Sequence, residues 1–365
     1  MEKNDRKYYL DNLRWITILV VVIFHVFYYY NDVGAEPMFQ GAPVTTGYTF
    51  PAIFQYGVYQ WFMMLLFMVS GICARFTLEK KSTKEFIHDK LNKLLVPSTL
   101  GIITIQWVGG YLVSLNYLTD DTPVPGFIKY LIMVASGTGA LWFCQVLFIA
   151  CLLLLLLKRF DKNDKLLRLG ERANLLVLIL LSVFMVGCSQ ILNVPLISTY
   201  RMCFYPMSFL MGYYVFSHKN ILELLRKWCL LFLVIGVGFG AWYLHNSYGI
   251  YYADYAVLKN PVSVIHGYFT AIGFIGLSQR MLDFHNHFTE YMSKAGWGIY
   301  ICHINVLLAV NTMLKPIVGN ISIWAVYTIE LISALFGSII LWEVLKRIPV
   351  IRWLLFGMKR EKKES

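Results

Sequence analysis

Residues 13–30 read LRWITILVVVIFHVFYYY, a run that is apolar except for Arg14, Thr17 and His25. A run of this length spans the hydrocarbon core of a bilayer as an α-helix. Because Arg14 and His25 are eleven residues apart, they share one face of that helix, about 16.5 Å apart along its axis. Ionisable side chains in a membrane usually face a protein interior or a cavity and mark function. The run therefore predicts a first transmembrane helix with a cation near one rim and a titratable base deeper in, which suits an anionic donor and a proton-transfer reaction.

The whole chain has the composition of a membrane protein. Of its 365 residues, 58% are hydrophobic and 15% are charged, and the mean hydropathy is +0.58, whereas soluble domains carry about 25% charged residues. The apolar residues come in continuous blocks of transmembrane length, which excludes a barrel of short alternating strands. We therefore predict an all-α, polytopic integral membrane protein of about ten transmembrane helices, at residues 10–30, 54–76, 94–115, 139–157, 173–192, 200–217, 228–244, 262–279, 296–314 and 321–345.

Two further segments follow from the same pattern. The stretch 127–138 is apolar but short, which is typical of an interfacial or re-entrant piece. The first apolar run is too long for the core of a cleavable signal and no small-residue cleavage site follows it, so we expect it to remain as an anchor. We predict a single transmembrane domain at residues 1–358 and a basic cytoplasmic tail at residues 359–365.

The net charge of +11 is explained by membrane topology. Of the 32 Lys and Arg residues, 27 fall at the N-terminus, in alternate loops and in the C-terminal region. This distribution follows the positive-inside rule and predicts that both termini are cytoplasmic, in a multi-pass protein of the cell (plasma) membrane. Anionic lipid of the bilayer is then the general partner of the basic loops, and no motif indicates nucleic acid.

Few titratable residues lie inside the predicted spans. His25 is either a helix-packing histidine or a general base that accepts a proton from an attacking hydroxyl. His303 either joins a polar network or lines the active cavity. Glu330 either pairs with a histidine or arginine of another helix or stays protonated and inert, and the sequence leaves both open. For His266, at the start of a span, an interfacial polar role is favoured over catalysis.

The basic loop from Arg75 to Lys93 has two interpretations. It is a solvated positive-inside loop, or its cations line a cytoplasmic mouth that suits a phosphate-rich donor such as coenzyme A. No phosphate-binding glycine loop, nucleophile elbow or HExxH motif is present, so ATP, NAD and zinc chemistry have no support. The seven cysteines form no CxxC pair and are expected to be small buried hydrophobes. We expect neither a metal site nor a permanently bound cofactor.

A second loop, at residues 246–261, is rich in aromatic residues. It contains Tyr248, Tyr251, Tyr252 and Tyr255. These tyrosines form either an aromatic belt at the membrane interface or a platform on which a sugar stacks.

The chain resembles the membrane-bound acyltransferase 3 family over nearly its whole length. The family's acid, arginine and histidine pattern is similar to Asp11 through Arg14 to His25, and its aromatic segment ending in Ser-Gly resembles residues 62–71. Further similar segments are residues 90–97, 140–144, 204–214 and 298–303. In this chain lysines at 90 and 93 replace the family's arginines, Ala140 replaces a histidine, and Trp15 stands where a small residue is common. No hydrolase domain of the SGNH type follows the last span, so we expect the stand-alone form.

The resemblance implies an acyltransferase that moves an acyl group, most often acetyl, from cytoplasmic acyl-CoA to a hydroxyl. The acceptor it implies is a glycan or another saccharide-type molecule, and the donor is acetyl-CoA. His25 would be the general base, or would carry the acyl group covalently. Arg14 would be the second catalytic residue and would hold the donor together with Lys90 and Lys93. The remaining predicted site residues are the donor contacts Ser70, Arg75, Lys90 and Lys93 and the cavity residues Trp142, Tyr300, His303 and Glu330.

Two other classes of function stay open at this point. A proton-coupled secondary transporter could use the same intramembrane His, Arg and Glu residues, although the sequence shows no inverted repeat. A sensory or interaction protein that retains the fold is the third. Association into a homo-oligomer is also left open by the sequence.

Overall fold

The computed structural model describes residues 6–31, 49–115, 124–195 and 199–358, and this part of the chain is almost entirely helical. The prediction of an all-α polytopic membrane protein is confirmed. The predicted tail at 359–365 and most of the loop between the first two spans lie outside the described residues. The described strands form one antiparallel hairpin, in which Asn193 pairs with Arg201.

The first half of the described chain consists of helices and short helical turns. These are α1 (Tyr8–Tyr28), α2 (Phe50–Tyr59), α3 (Phe62–Lys80), α4 (Thr83–Lys90), two π-helical segments (Leu91–Leu95 and Pro97–Gln106), α5 (Trp107–Ser114), α6 (Gly126–Ser136), a 3-10 turn (Gly139–Leu141), α7 (Trp142–Phe160), α8 (Lys165–Glu171) and α9 (Leu175–Ser189).

The hairpin separates these helices from the second half. The remaining elements are β1 (Asn193–Pro195), β2 (Thr199–Arg201), α10 (Phe204–Tyr214), α11 (Lys219–Ser247), α12 (Tyr255–Lys259), α13 (Pro261–Met281), α14 (His287–Leu314), a 3-10 turn (Val318–Asn320), α15 (Ile323–Ile332), a π-helical segment (Ser333–Gly337), α16 (Ser338–Leu345) and α17 (Pro349–Phe356).

Seven helical stretches of the described chain are long and apolar enough to cross a membrane, and α8 with α9, bent by 119°, makes an eighth if the pair is one span. The short apolar stretch predicted near 127–138 is a helix, Gly126–Ser136. Two predicted spans, at 200–217 and 228–244, correspond to α10 and α11, which are not among the seven. The count of ten spans therefore stays a prediction.

Hydrogen bonds across the loops define two ends of the helix bundle. At one end, which we call the basic end, Asn12 donates to the carbonyls of Leu282 and Phe284, both at 2.8 Å. At the other end, which we call the far end, Tyr56 donates to the carbonyl of Ser247 at 3.0 Å. The loops predicted to be cytoplasmic lie at the basic end.

Glycine lets two central helices approach closely. A Cβ atom added at Gly71 of α3 would collide with the carbonyl oxygen of Phe209, and one at Gly212 of α10 with that of Met68. Small residues at a membrane helix interface allow such close backbone contact. The close approach places Phe67 and Tyr205 in a stacked pair, with ring centroids 4.9 Å apart.

Candidate active site

His25 lies in the last turn of α1, three residues before its end at Tyr28. Counted from Tyr8, this places it about 25 Å along the helix axis. Its Nδ1 is 2.8 Å from the carbonyl oxygen of Val21. Since a carbonyl oxygen only accepts hydrogen bonds, Nδ1 carries the proton and Nε2 keeps a lone pair. This is the tautomer that a general base needs.

A second histidine faces His25 from α14. The rings of His25 and His303 meet edge to face, with centroids 5.1 Å apart and an interplanar angle of 63°. His303 is fully buried, and its Nδ1 is 2.8 Å from the carbonyl oxygen of Tyr300. Its Nε2 is buried without a hydrogen-bond partner in the structure. Both histidines therefore donate through Nδ1 to their own helix and keep Nε2 as an acceptor.

Aromatic rings extend from the two histidines in a chain of contacts, which we call the aromatic circuit. Neighbouring ring centroids in it are 4.7 to 5.9 Å apart. The hydroxyls of Tyr59 and Tyr205, whose rings are at the two ends of this chain, interact electrostatically. The members of the circuit are His25, His303, Tyr300, Phe143, Phe67, Tyr205, Tyr59 and Phe24. They come from six helices, so only the folded bundle assembles them.

Only part of the aromatic circuit is accessible from outside the bundle. Most of its members are buried, but His25, Tyr59 and the neighbouring Trp142 are partly exposed. Trp142 packs on Tyr205 with ring centroids 5.3 Å apart. The hydroxyl of Tyr300 donates to the carbonyl of Ala140 at 2.6 Å, which fixes that ring. Of the predicted cavity residues, His303 thus lies next to His25, Tyr300 lies next to His303, and Trp142 lies farther along the circuit at Tyr205.

The tyrosines of the loop at residues 246–261 do not all form an aromatic belt at the membrane interface. Tyr252 is only 2% exposed, and its ring centroid lies 4.7 Å from that of Tyr59 and 5.4 Å from that of Phe24. Tyr251 packs on Tyr252, again at 4.7 Å. The belt interpretation is wrong for Tyr252, which instead extends the aromatic circuit. Tyr255, 44% exposed, stays at the surface.

Glu330 lies apart from the circuit. It is fully buried on α15, and none of the basic residues in the described chain forms an ion pair with it. Its polar neighbour is the hydroxyl of Tyr30, which also contacts Asn311. The expectation of a histidine or arginine partner for Glu330 is therefore wrong for the described residues.

Cations from α1 and the neighbouring helices converge at the basic end. Arg14 donates from Nη2 to the Sγ of Cys73 at 3.1 Å, and its Nη1 is 3.8 Å from Asp11. Lys93 lies within electrostatic reach of Arg14 and Lys90. Arg14, Lys90 and Lys93, which the sequence analysis places in one donor site, are therefore neighbours in space.

A second pair of cations shares one tyrosine. Arg75 lies over the ring of Tyr213 at 6.0 Å and Lys158 at 5.8 Å, and Lys158 also donates to the tyrosine hydroxyl at 3.2 Å. Arg75 forms an ion pair with Glu79 at 3.2 Å. Ser70, the last predicted donor contact, is partly exposed on α3.

Sequence reasoning missed three residues of this arrangement. Tyr59 and Lys158 gave no signal, because an interfacial tyrosine and a loop lysine are common in membrane proteins. Arg201 is 2% exposed at the end of β2. An isolated cation on a loop otherwise poor in Lys and Arg was the available clue.

The comparison with protein families decides the class of this chain. The family described as an acyltransferase domain, acyltransferase 3, matches residues 7–343. The chain belongs to this family. It is accordingly an acyltransferase and, given its apolar helices, a multi-pass membrane protein.

Curated relatives cover the whole chain. Proteins called glucans biosynthesis protein C from Salmonella dublin and from Salmonella paratyphi B are 21% identical to this chain over an alignment of 385 residues. Each alignment covers 99% of this chain and 97% of the relative. The protein of that name from Escherichia coli O139:H28 is 21% identical over 394 residues, with the same shares of the two chains. No solved structure matches the chain significantly.

Proposed function

We propose that this protein is an O-acyltransferase of the plasma membrane. It moves an acyl group, acetyl in the resemblance, from acyl-CoA at the basic end to a hydroxyl of a saccharide that enters from the far end. The observation that carries the proposal is the tautomer of His25 together with its partial exposure. Its Nδ1 is committed to the carbonyl of Val21, and its ring is a partly exposed member of the aromatic circuit.

The chemistry follows from that tautomer. Nε2 of His25 takes the proton of the acceptor hydroxyl, and the oxygen attacks the thioester carbonyl of the donor. The carbon–sulfur bond breaks, and the leaving thiolate of CoA takes the proton back from Nε2. Protons balance, and no oxidant or metal is needed. In the covalent variant Nε2 attacks the thioester first and forms acyl-His25, which the hydroxyl then resolves.

The basic end supplies the donor site. CoA carries several phosphates, and cations bind phosphate through charge-assisted hydrogen bonds. Arg14, Lys90 and Lys93 form one group of cations there, and Arg75 with Lys158 form another around Tyr213. Arg14 precedes His25 by eleven residues on the same helix face. An extended pantetheine arm bridges the distance from this site to His25.

The acceptor is proposed to be a saccharide for two reasons. Ligand pockets are lined mainly by apolar and aromatic groups with a few polar ones, and the aromatic circuit has this composition. The relatives that cover the chain are named for the biosynthesis of glucans. Flat aromatic faces suit the apolar faces of sugar rings, and the tyrosine hydroxyls suit their hydroxyl groups.

The direct test uses purified protein in nanodiscs with radiolabelled acetyl-CoA and a panel of oligosaccharides. The proposal expects label on a saccharide as an alkali-labile ester, together with one free CoA thiol for each ester formed. Acyl-CoA turnover with no labelled saccharide would reject the acceptor class. Vesicles that accumulate the saccharide unmodified in response to a proton gradient would favour the transporter instead.

A further inference from the structure

Arg201 is a buried charge at the far end of the bundle. It closes β2, its side chain is 2% exposed, and its Cζ lies 3.6 Å from the ring centroid of Phe204. Nη2 donates to the carbonyl of Leu258 at 2.9 Å. The hairpin and that carbonyl hold the guanidinium in place, so its position does not depend on a ligand.

The charge of Arg201 has no counter-ion in the described chain. None of the described carboxylates forms an ion pair with it, and its Nε is buried without a hydrogen-bond partner. The nearby polar groups are the hydroxyls of Tyr59 and Tyr205, of which that of Tyr205 hydrogen-bonds to the guanidinium. Neither is a counter-ion, because a tyrosine hydroxyl is neutral near pH 7. Buried charges in proteins are normally paired, because burying an uncompensated charge is costly. The guanidinium is therefore ready for an anion.

Arg201 lies next to the aromatic circuit that contains His25. Its Cζ lies 5.8 Å from the ring centroid of Tyr205, a member of the aromatic circuit. Its other neighbour, Tyr59, is a partly exposed member of the circuit, and Phe24 links Tyr59 to His25, with centroids 5.8 and 5.3 Å apart. Rings of the aromatic circuit thus connect Arg201 with His25.

We infer that Arg201 binds an anionic group, a carboxylate or a phosphate, on the saccharide acceptor, so that the substrate class is an acidic saccharide. A guanidinium presents a planar fork of donors that matches both anions. The donor is not the source of this anion, since the cations that suit CoA phosphates lie at the basic end, whereas Arg201 bonds to the far-end segment α12. This inference rests on the proposed function, because it concerns the acceptor of the same reaction.

The test compares an oligosaccharide that contains a uronic acid with the same oligosaccharide after reduction of its carboxyl groups. A phosphorylated saccharide forms a third arm and distinguishes the two anions. For wild type we expect the KM of the reduced saccharide to be at least about tenfold higher than that of an acidic one. Arg201→Gln should raise the KM of the acidic acceptor about tenfold, leave that of the neutral acceptor within about twofold, and keep kcat for the neutral acceptor. Arg201→Lys should recover part of the loss.

The matched control is Arg280→Gln, since Arg280 also donates from Nη2 to a backbone carbonyl, that of Lys227 at 3.1 Å, but lies at the basic end. It should leave both KM values unchanged. Equal KM values for acidic and reduced acceptors in wild type, or equal losses in Arg201→Gln, would overturn the inference while leaving saccharide transfer intact. Direct binding of the acidic oligosaccharide, measured without acyl-CoA, tests Arg201 even if no saccharide is acylated: binding equal in wild type and Arg201→Gln overturns the inference.

Discussion

His25 of α1 and His303 of α14 face each other edge to face at 5.1 Å, and each donates from Nδ1 to a backbone carbonyl of its own helix. These two hydrogen bonds fix the same tautomer in both histidines, with the proton on Nδ1. They leave two Nε2 lone pairs inside the bundle, one partly exposed at His25 and one buried at His303. The exposed nitrogen is the one placed to react, and the buried ring orients it.

This division of roles predicts different effects for two His303 variants. His303→Phe keeps an aromatic ring against His25, whereas His303→Ala removes it and frees the imidazole to reorient. Because misplacing a catalytic group by a fraction of an ångström is costly, we expect kcat to fall about tenfold or more in the Ala variant and only about threefold in the Phe variant. Steady-state acyl transfer measures both. Equal losses in the two variants would mean that the His303 nitrogen itself takes part.

The donor cations predict a change in affinity. Replacing Lys90 and Lys93 together with Gln should raise the KM of acyl-CoA about tenfold, because losing charge-assisted contacts worth about 1.4 kcal/mol changes an equilibrium tenfold. The wild-type KM should also rise with salt, since exposed charges are screened. The control combines Lys162→Gln, in the loop between α7 and α8, with Lys165→Gln at the first residue of α8. If the control pair has the same effect, general positive charge and not a site attracts the donor.

Arg14 should not tolerate a conservative change. Its Nη2 contacts the Cys73 sulfur while Nη1 faces Asp11, so the planar fork is held by two different groups. Arg14→Lys keeps the charge but loses the fork, and we expect kcat/KM for acyl-CoA to fall about tenfold or more. Cys73→Ser retains a polar contact at that position and should stay within about threefold of wild type. A fully active Arg14→Lys protein would show that charge alone suffices there.

The close contact of α3 and α10 predicts a stability defect. Gly71→Ala forces a methyl group onto the Phe209 carbonyl, and overpacking of this kind costs about 1–3 kcal/mol. Thermal unfolding in detergent should therefore occur at a lower temperature than for wild type. Gly57→Ala is the matched control, because nothing lies within 4 Å of a Cβ at that position. Similar unfolding temperatures for the two variants would contradict the described packing.

The two ends of the bundle should lie on opposite sides of the membrane. Single cysteines at Lys162, at the basic end, and at Asn246, at the far end, test this when the two partly exposed native cysteines, Cys73 and Cys203, are replaced by serine. An impermeant thiol reagent added to intact cells should label only the cysteine at 246. Labelling of both from the same side would overturn the assignment of cytoplasmic termini.

The sequence predicted the parts of the site that depend on local spacing. Arg14 and His25 lie on one helix, so the helical repeat alone relates them, and the seven long apolar stretches follow from composition. The partners of His25 could not be predicted in this way. His303 and Tyr300 lie nearly three hundred residues away in the chain, and only the packing of α14 against α1 brings them close.

Arg201 and Tyr252 show a second limit. Both lie in far-end loops, where cations and tyrosines are usually exposed, yet each is 2% exposed. Their burial depends on the short β1–β2 hairpin and on α12, whose sequences lack the periodic pattern that identifies longer elements. Glu330 is the reverse case, because its position in an apolar span was clear while its neighbours, Tyr30 and Asn311, were not.

The central claim is that Nε2 of His25 is the base that activates the acceptor. The most direct measurement is the rate of acyl transfer from radiolabelled acyl-CoA to the saccharide by His25→Ala, beside His245→Ala as an exposed histidine of α11. We expect the rate of His25→Ala to fall at least about 10²-fold, the usual contribution of a general base, with normal membrane insertion, and that of His245→Ala to remain at the wild-type value. Transfer by His25→Ala at a rate near that of wild type would contradict the account.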